Sequence, residues 1–125
     1  MSKSKCIYKD RKGAFGEVIA RSFLEGMGWK FIKANYRFER SEIDIIFEIE
    51  QVKLLIFVEV KTRSSKKFGE PESSILSSKQ AHIRKAAEGF VMTHPEYEKH
   101  DMRIDVVTVM FENETSVINH IENAF

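Results

Sequence analysis

Between residues 13 and 27 the apolar positions fall at helical spacing: Phe15, Ile19, Phe23 and Met27 recur four apart, with Gly16, Ala20 and Leu24 beside them. One apolar stripe of an amphipathic helix follows, and Gly28 is placed to end it. The period then drops to two. In 31–38 Ile32, Ala34, Tyr36 and Phe38 alternate with Lys33, Asn35 and Arg37, the pattern of a half-buried strand. From Glu42 a second strand sets Ile43, Ile45, Phe47 and Ile49 on one face and Glu42, Asp44, Ile46, Glu48 and Glu50 on the other. A polar connection at 51–53 leads to LLIFVEVK at 54–61, whose unbroken apolar run predicts a central strand buried on both faces and paired with the second as a hairpin. Helical spacing returns over 77–94 at Ile83, Ala86, Ala87, Phe90 and Val91, with Ser77 and Gln80 as a candidate capping box and His94-Pro95 as the stop. Residues 103–111 and 116–121 alternate as two last strands around Glu112-Asn113-Glu114. The order α-β-β-β-α-β-β predicts one α/β domain over 13–125, a mixed sheet with a helix on each side.

Composition narrows the class. The chain has 125 residues, 42% hydrophobic, enough to hide most of its apolar surface around one core without disulfides or a structural metal. Cys6 is the only cysteine and the four histidines show no zinc-site spacing, so a disulfide framework and a zinc centre are set aside in favour of a reduced, cytoplasmic setting. The longest apolar run, LLIFV at 54–58, is too short to cross a bilayer, and no membrane partner is expected. The net charge of +1 conceals two basic zones. Residues 1–12, read as a flexible lead-in, carry five basic groups against Asp10, and 61–85 carry seven against Glu70 and Glu72, whereas 96–125 carry two against seven acids. Such zones steer a polyanion to one side of a protein, although solvated charge runs of this size are also ordinary.

The informative residues break the hydrophobic pattern. Leu55, Phe57, Glu59 and Lys61 share one strand face, so an acid and a base close a face that is otherwise apolar. Asp44 comes from the neighbouring strand, and a hairpin register that levels it with Glu59 brings two carboxylates to one ion across an interstrand spacing of about 5 Å. Two carboxylates that close repel each other, and a cation removes the conflict. Oxygen ligands without Cys or His favour Mg²⁺ or Mn²⁺, ions that retain water and accept phosphate oxygens. With Lys61 to stabilise charge on a phosphodiester and to orient or activate the attacking water, the set suits hydrolysis of a nucleic-acid backbone.

Plainer alternatives exist for each residue. Asp44 shares its face with Glu42, Glu48 and Glu50 and also fits an ordinary polar face, and Glu59 with Lys61 also fits a salt bridge at a strand end. Glu17, near its helix N-terminus, gains from the helix dipole whatever its role. Gln80 fits the return arm of the capping box better than catalysis, yet Lys79 and Gln80 flank the inward positions Leu76 and Ile83. Asp105 is read as structural and the histidines as surface or packing residues.

Taken together, GAFGE, ANYRFERSEIDII, FVEVKTR, FGEP, a lysine in the next helix, RIDVV and the closing HIENAF resemble the YraN family of small bacterial proteins. That family looks like a branch of the PD-(D/E)XK nuclease superfamily, distantly related to archaeal Holliday-junction resolvases. The resemblance covers about residues 13–125 and implies a restriction-endonuclease-like core. It makes Asp44 and Glu59 metal carboxylates, Lys61 the motif lysine and Glu17 the first-helix acid, a third metal ligand, with Glu42 and Lys79 in supporting positions. Ser41 departs from the family, which usually has glycine there.

The reading is therefore a Mg²⁺- or Mn²⁺-dependent phosphodiester-cleaving site built on Glu17, Asp44, Glu59 and Lys61, with Glu42, Lys79 and Gln80 in support. DNA is the expected substrate. Arg37, Arg40, Arg63, Lys66 and Lys67 lie where they would hold phosphates, and with no base-edge readers in view, branched or flapped structures are favoured over sequence selectivity. A resolvase-like protein would be a homodimer. The rivals are a DNA-binding module of nuclease fold that does not cut, serving DNA repair or uptake, and a carboxylate-pair glycosidase, which the lack of aromatic sugar platforms disfavours.

Overall fold

The computed structural model describes residues 15–64, 77–112 and 115–125. Its elements are α1 (15–25), β1 (Lys30–Phe38), β2 (Ser41–Ile49), β3 (Leu54–Ser64), α2 (Ser77–Thr93), β4 (Asp101–Glu112) and β5 (Thr115–Ile121). The five strands form one sheet in the order β1-β2-β3-β4-β5. All neighbours run antiparallel except β3 and β4. A parallel pair needs a long connection, and α2 lies in the link between β3 and β4. This is the mixed α/β sheet that the hydrophobic pattern predicts, with β3 at its centre. The basic segment 1–12 lies outside the described residues.

Each face of the sheet has its own core. On one, Tyr36, Ile43, Ile46, Leu55, Phe57 and Ile104 pack against Ile83, Ala86, Ala87 and Phe90 of α2. On the other, Ile45, Phe47, Ile56, Val58, Val107 and Val109 pack with Trp29 against Ala20 and Leu24 of α1. β3 feeds both cores by alternation, which is why its run is apolar without a break.

Two expectations are corrected. Only one edge of the first helix's apolar stripe faces the sheet: Ala20 and Leu24 are fully buried with Ile19 packed beside them, while Phe15 is 60% and Met27 47% exposed. At the start of the helix the approach of α1 to β3 is close enough to require glycine. A Cβ on Gly16 would run into the Thr62 Oγ1. The strict alternation of β2 also fails. Ile43 joins Ile46 on the α2 side, whereas Ile45 and Phe47 face α1. Both strands switch face at one rung, between the pairs Ala34–Ile45 and Tyr36–Ile43. Asn35 occupies that rung on β1 with φ 53°, a left-handed conformation that asparagine tolerates better than most residues, and Asp44 occupies it on β2.

α2 meets the end of β1 just as tightly. A Cβ on Gly89 would sit 2.5 Å from the Phe38 ring, so Gly89→Ala should cost about 1–3 kcal/mol by overpacking, despite alanine's better helix propensity. A fall in the denaturant midpoint with an unchanged slope checks this; an unchanged or higher midpoint would show that the ring moves aside freely.

Candidate functional site

The β2–β3 ladder runs from Ile49–Leu54 to Ile45–Val58 and stops. The next rung in that register would set Asp44 opposite Glu59. Instead of continuing the backbone ladder, the Asp44 Oδ2 accepts the Val60 N–H at 2.8 Å, so a side chain takes the place of a main-chain acceptor. Asp44 is mostly buried there, and its carboxyl is pushed up to about 7, first by that burial and next by the charge of Glu59. The Val60 N–H pulls the other way, and Glu17 and Glu42 push further up. Glu17 responds to the same field, raised by burial and then by Glu42 and Glu59. It reaches this place because Gly16, its chain neighbour, lies against Thr62 of β3. Four carboxylates from α1, β2 and β3 thus share one electrostatic environment.

Glu59 is 8% exposed. Its partner is Lys79 of α2, Nζ to Oε2 at 3.3 Å, and not Lys61, so the strand-end salt bridge between Glu59 and Lys61 does not form. Lys61 is half-buried and makes no ion pair or hydrogen bond among the described residues. A small cavity of about 120 Å³ opens beside the acids, lined by Arg40, Ser41, Glu42, Asp44, Glu59, Lys79, His82 and Ile83. Of the predicted phosphate contacts, Arg40 lines it. Arg37 is exposed and pairs with Glu42 at 3.3 Å. The half-buried Arg63 donates from Nη1 to the Thr62 carbonyl at 3.3 Å. Gln80 follows Lys79 on α2 and is half-buried, while Lys66 and Lys67 lie outside the described residues. Three lining residues are not among the site candidates of the sequence: Ser41, marked there only by its departure from the family's glycine, His82 and the apolar Ile83. The helical spacing from Lys79 to His82, three positions on the same face, was the available signal.

Asp105 behaves as a structural residue. It is fully buried and accepts the Arg103 fork at 2.9 and 3.0 Å and the Asn123 N–H at 2.9 Å, with His120 Nε2 at 2.8 Å. The RIDVV and HIENAF segments therefore clamp the chain end onto β4.

Among the described residues no three His, Cys, Asp or Glu side chains converge to cage a metal ion. The donors fit a hard divalent ion held in an open site, which takes one or two carboxylates and completes its shell with water and phosphate. Asp44 keeps Oδ1 free of the Val60 bond, and the mutual strain of Asp44 and Glu59 is the condition that a cation relieves.

Comparison with known proteins places the chain in a family. The profile of the uncharacterised protein family UPF0102 matches residues 16–109, a stretch that holds every acid of the cluster. A UPF0102 protein of Caldicellulosiruptor bescii is 43% identical over 115 residues, covering 90% of this chain and 95% of the relative. One from Desulforamulus reducens is 38% identical over 120 residues, 94% and 98% of the two chains, and one from Natranaerobius thermophilus is 40% identical over 116 residues, 91% and 96%. No described helix is long and apolar enough to cross a membrane. The chain belongs to UPF0102, the YraN family.

Proposed function

We propose that the protein hydrolyses phosphodiester bonds of DNA with a divalent cation. The observation that carries this reading is the pairing of a buried, charge-strained Asp44 beside Glu59 with Lys61, two residues further along the same strand face and without a partner among the described residues. Asp44 and Glu59 would hold Mg²⁺ or Mn²⁺, with Glu17 at the edge of the set. When bound, the ion supplies Lewis acidity and lowers the pKa of water. The Lys61 ammonium donates to the phosphoryl oxygen that gains charge in the transition state. Lys79, 3.3 Å from Glu59, orients that carboxylate. Arg37, Arg40 and Arg63, with Lys66 and Lys67, hold flanking phosphates.

One observation favours a second reading, a DNA-binding module of the same fold that does not cut: the Lys79 contact already neutralises Glu59. Incubation with flapped, four-way-junction and single-stranded DNA separates the two. Cleavage in millimolar Mn²⁺ that EDTA abolishes is the expected result, whereas binding to all three without a cut in Mg²⁺ or Mn²⁺ would replace the nuclease by the binding module. Symmetric cutting of a four-way junction requires two sites related by a two-fold axis. Light scattering should then show a dimer; a monomer with and without junction DNA would leave only flap or single-strand cleavage.

A further inference from the structure

Thr108 of β4 lies directly across from Lys61 in the parallel β3–β4 register. Residues in register project to the same face of a sheet, and Ile104 of β4 packs in the α2-side core with Leu55 and Phe57 of β3. Thr108 therefore shares the face of Glu59 and Lys61. It is 4% exposed, and its Oγ1 is the one buried side-chain nitrogen or oxygen without a hydrogen-bond partner among the described residues. Val106, Val107 and Val109 around it are fully buried. A valine at 108 would have the same shape and no polar atom to desolvate. The neighbouring strand carries the complementary group: a half-buried ammonium with three N–H donors and no partner of its own among the described residues.

Building on the nuclease reading, we propose that Thr108 is a positioning residue for Lys61. In the substrate complex Oγ1 accepts one Nζ–H, fixing the ammonium on the Glu59 face and leaving two N–H groups for the phosphate oxygen and the attacking water. The residue touches neither substrate nor ion; it acts through Lys61.

The test compares wild type, Thr108→Val and Thr108→Ser in melting, DNA affinity and Mn²⁺-dependent turnover on branched DNA. Thr108→Val should melt at or above wild type and bind DNA equally, yet turn over about 10- to 100-fold more slowly, the effect expected of a reacting group misplaced by about an ångström. Thr108→Ser, which keeps the hydroxyl and loses a methyl, should melt lower and recover turnover to near wild type. Undiminished cutting by Thr108→Val overturns the proposal while the nuclease reading stands. So does a Thr108→Val that melts well below wild type, because the hydroxyl would then serve the fold. A wild-type control that cuts no substrate overturns the site reading and, with it, any role of Thr108 in cleavage.

Discussion

Lys61→Ala should lose Mn²⁺-dependent cleavage of branched DNA by at least about 10²-fold, the usual effect of removing one donor aimed at developing charge, and by more if the lysine also activates water. DNA affinity should barely change, because Arg37, Arg40, Arg63, Lys66 and Lys67 keep the electrostatic footprint. The melting temperature should hold too: Lys61 takes part in no described ion pair, and Glu59 keeps its Lys79 partner at 3.3 Å. That combination distinguishes a catalytic lysine from a structural one, whose loss would lower stability first. Reversing Lys66 and Lys67 to Glu should do the opposite, weakening binding steeply and flattening its salt dependence as fewer counterions are released, with cutting at saturating protein largely preserved. A Lys61→Ala protein that cuts normally, beside a Lys66/Lys67 charge-reversal variant that binds normally, would overturn both assignments.

Asp44→Asn should reshape the dependence of stability on pH. The carboxyl of Asp44 is raised from 3.8 to about 7, so the folded chain holds a proton that the unfolded chain gives up. Stability from this group is therefore present below about pH 4 and is lost as pH rises through about 7. At about 1.4 kcal/mol per pH unit the change amounts to roughly 4 kcal/mol as an upper figure. Asparagine keeps an acceptor for the Val60 N–H and carries no charge. Without divalent ions, Asp44→Asn should be more stable than wild type at pH 8 and nearly equal to it at pH 4. Mn²⁺ should then stabilise wild type at pH 8 by mass action, by about 2.7 kcal/mol at 100 times its dissociation constant, and leave the variant almost unmoved. Urea midpoints at both pH values, with and without Mn²⁺, measure this. Equal midpoints for wild type and variant at pH 8, with no response to Mn²⁺ in either, would mean that the acids are not strained against one another and hold no ion.

The elements, their order and the centrality of β3 were legible in the chain because they rest on local periodicity: a change from helical spacing to alternation at residue 31, and an apolar run at 54–58 that suits only a strand covered on both faces. The convergence of Asp44 and Glu59 was legible as well, since hairpin register follows from strand length and turn position. Three features depended on contacts between elements far apart in sequence. Which edge of the α1 stripe faces inward turned on how closely the helix approaches Thr62, where a side chain larger than that of Gly16 would collide. The switch of face at Asp44 required the Val60 N–H and the left-handed Asn35 together, and a period-two pattern cannot register a local exchange of side chain for backbone. The partner of Glu59 was decided between Lys61, two residues away on its own strand, and Lys79, twenty residues on, by where α2 crosses the sheet. Periodicity reports which surface is apolar; the choice among charged partners is made by the packing of whole elements, and here that packing leaves Lys61 without an ion-pair partner among the described residues.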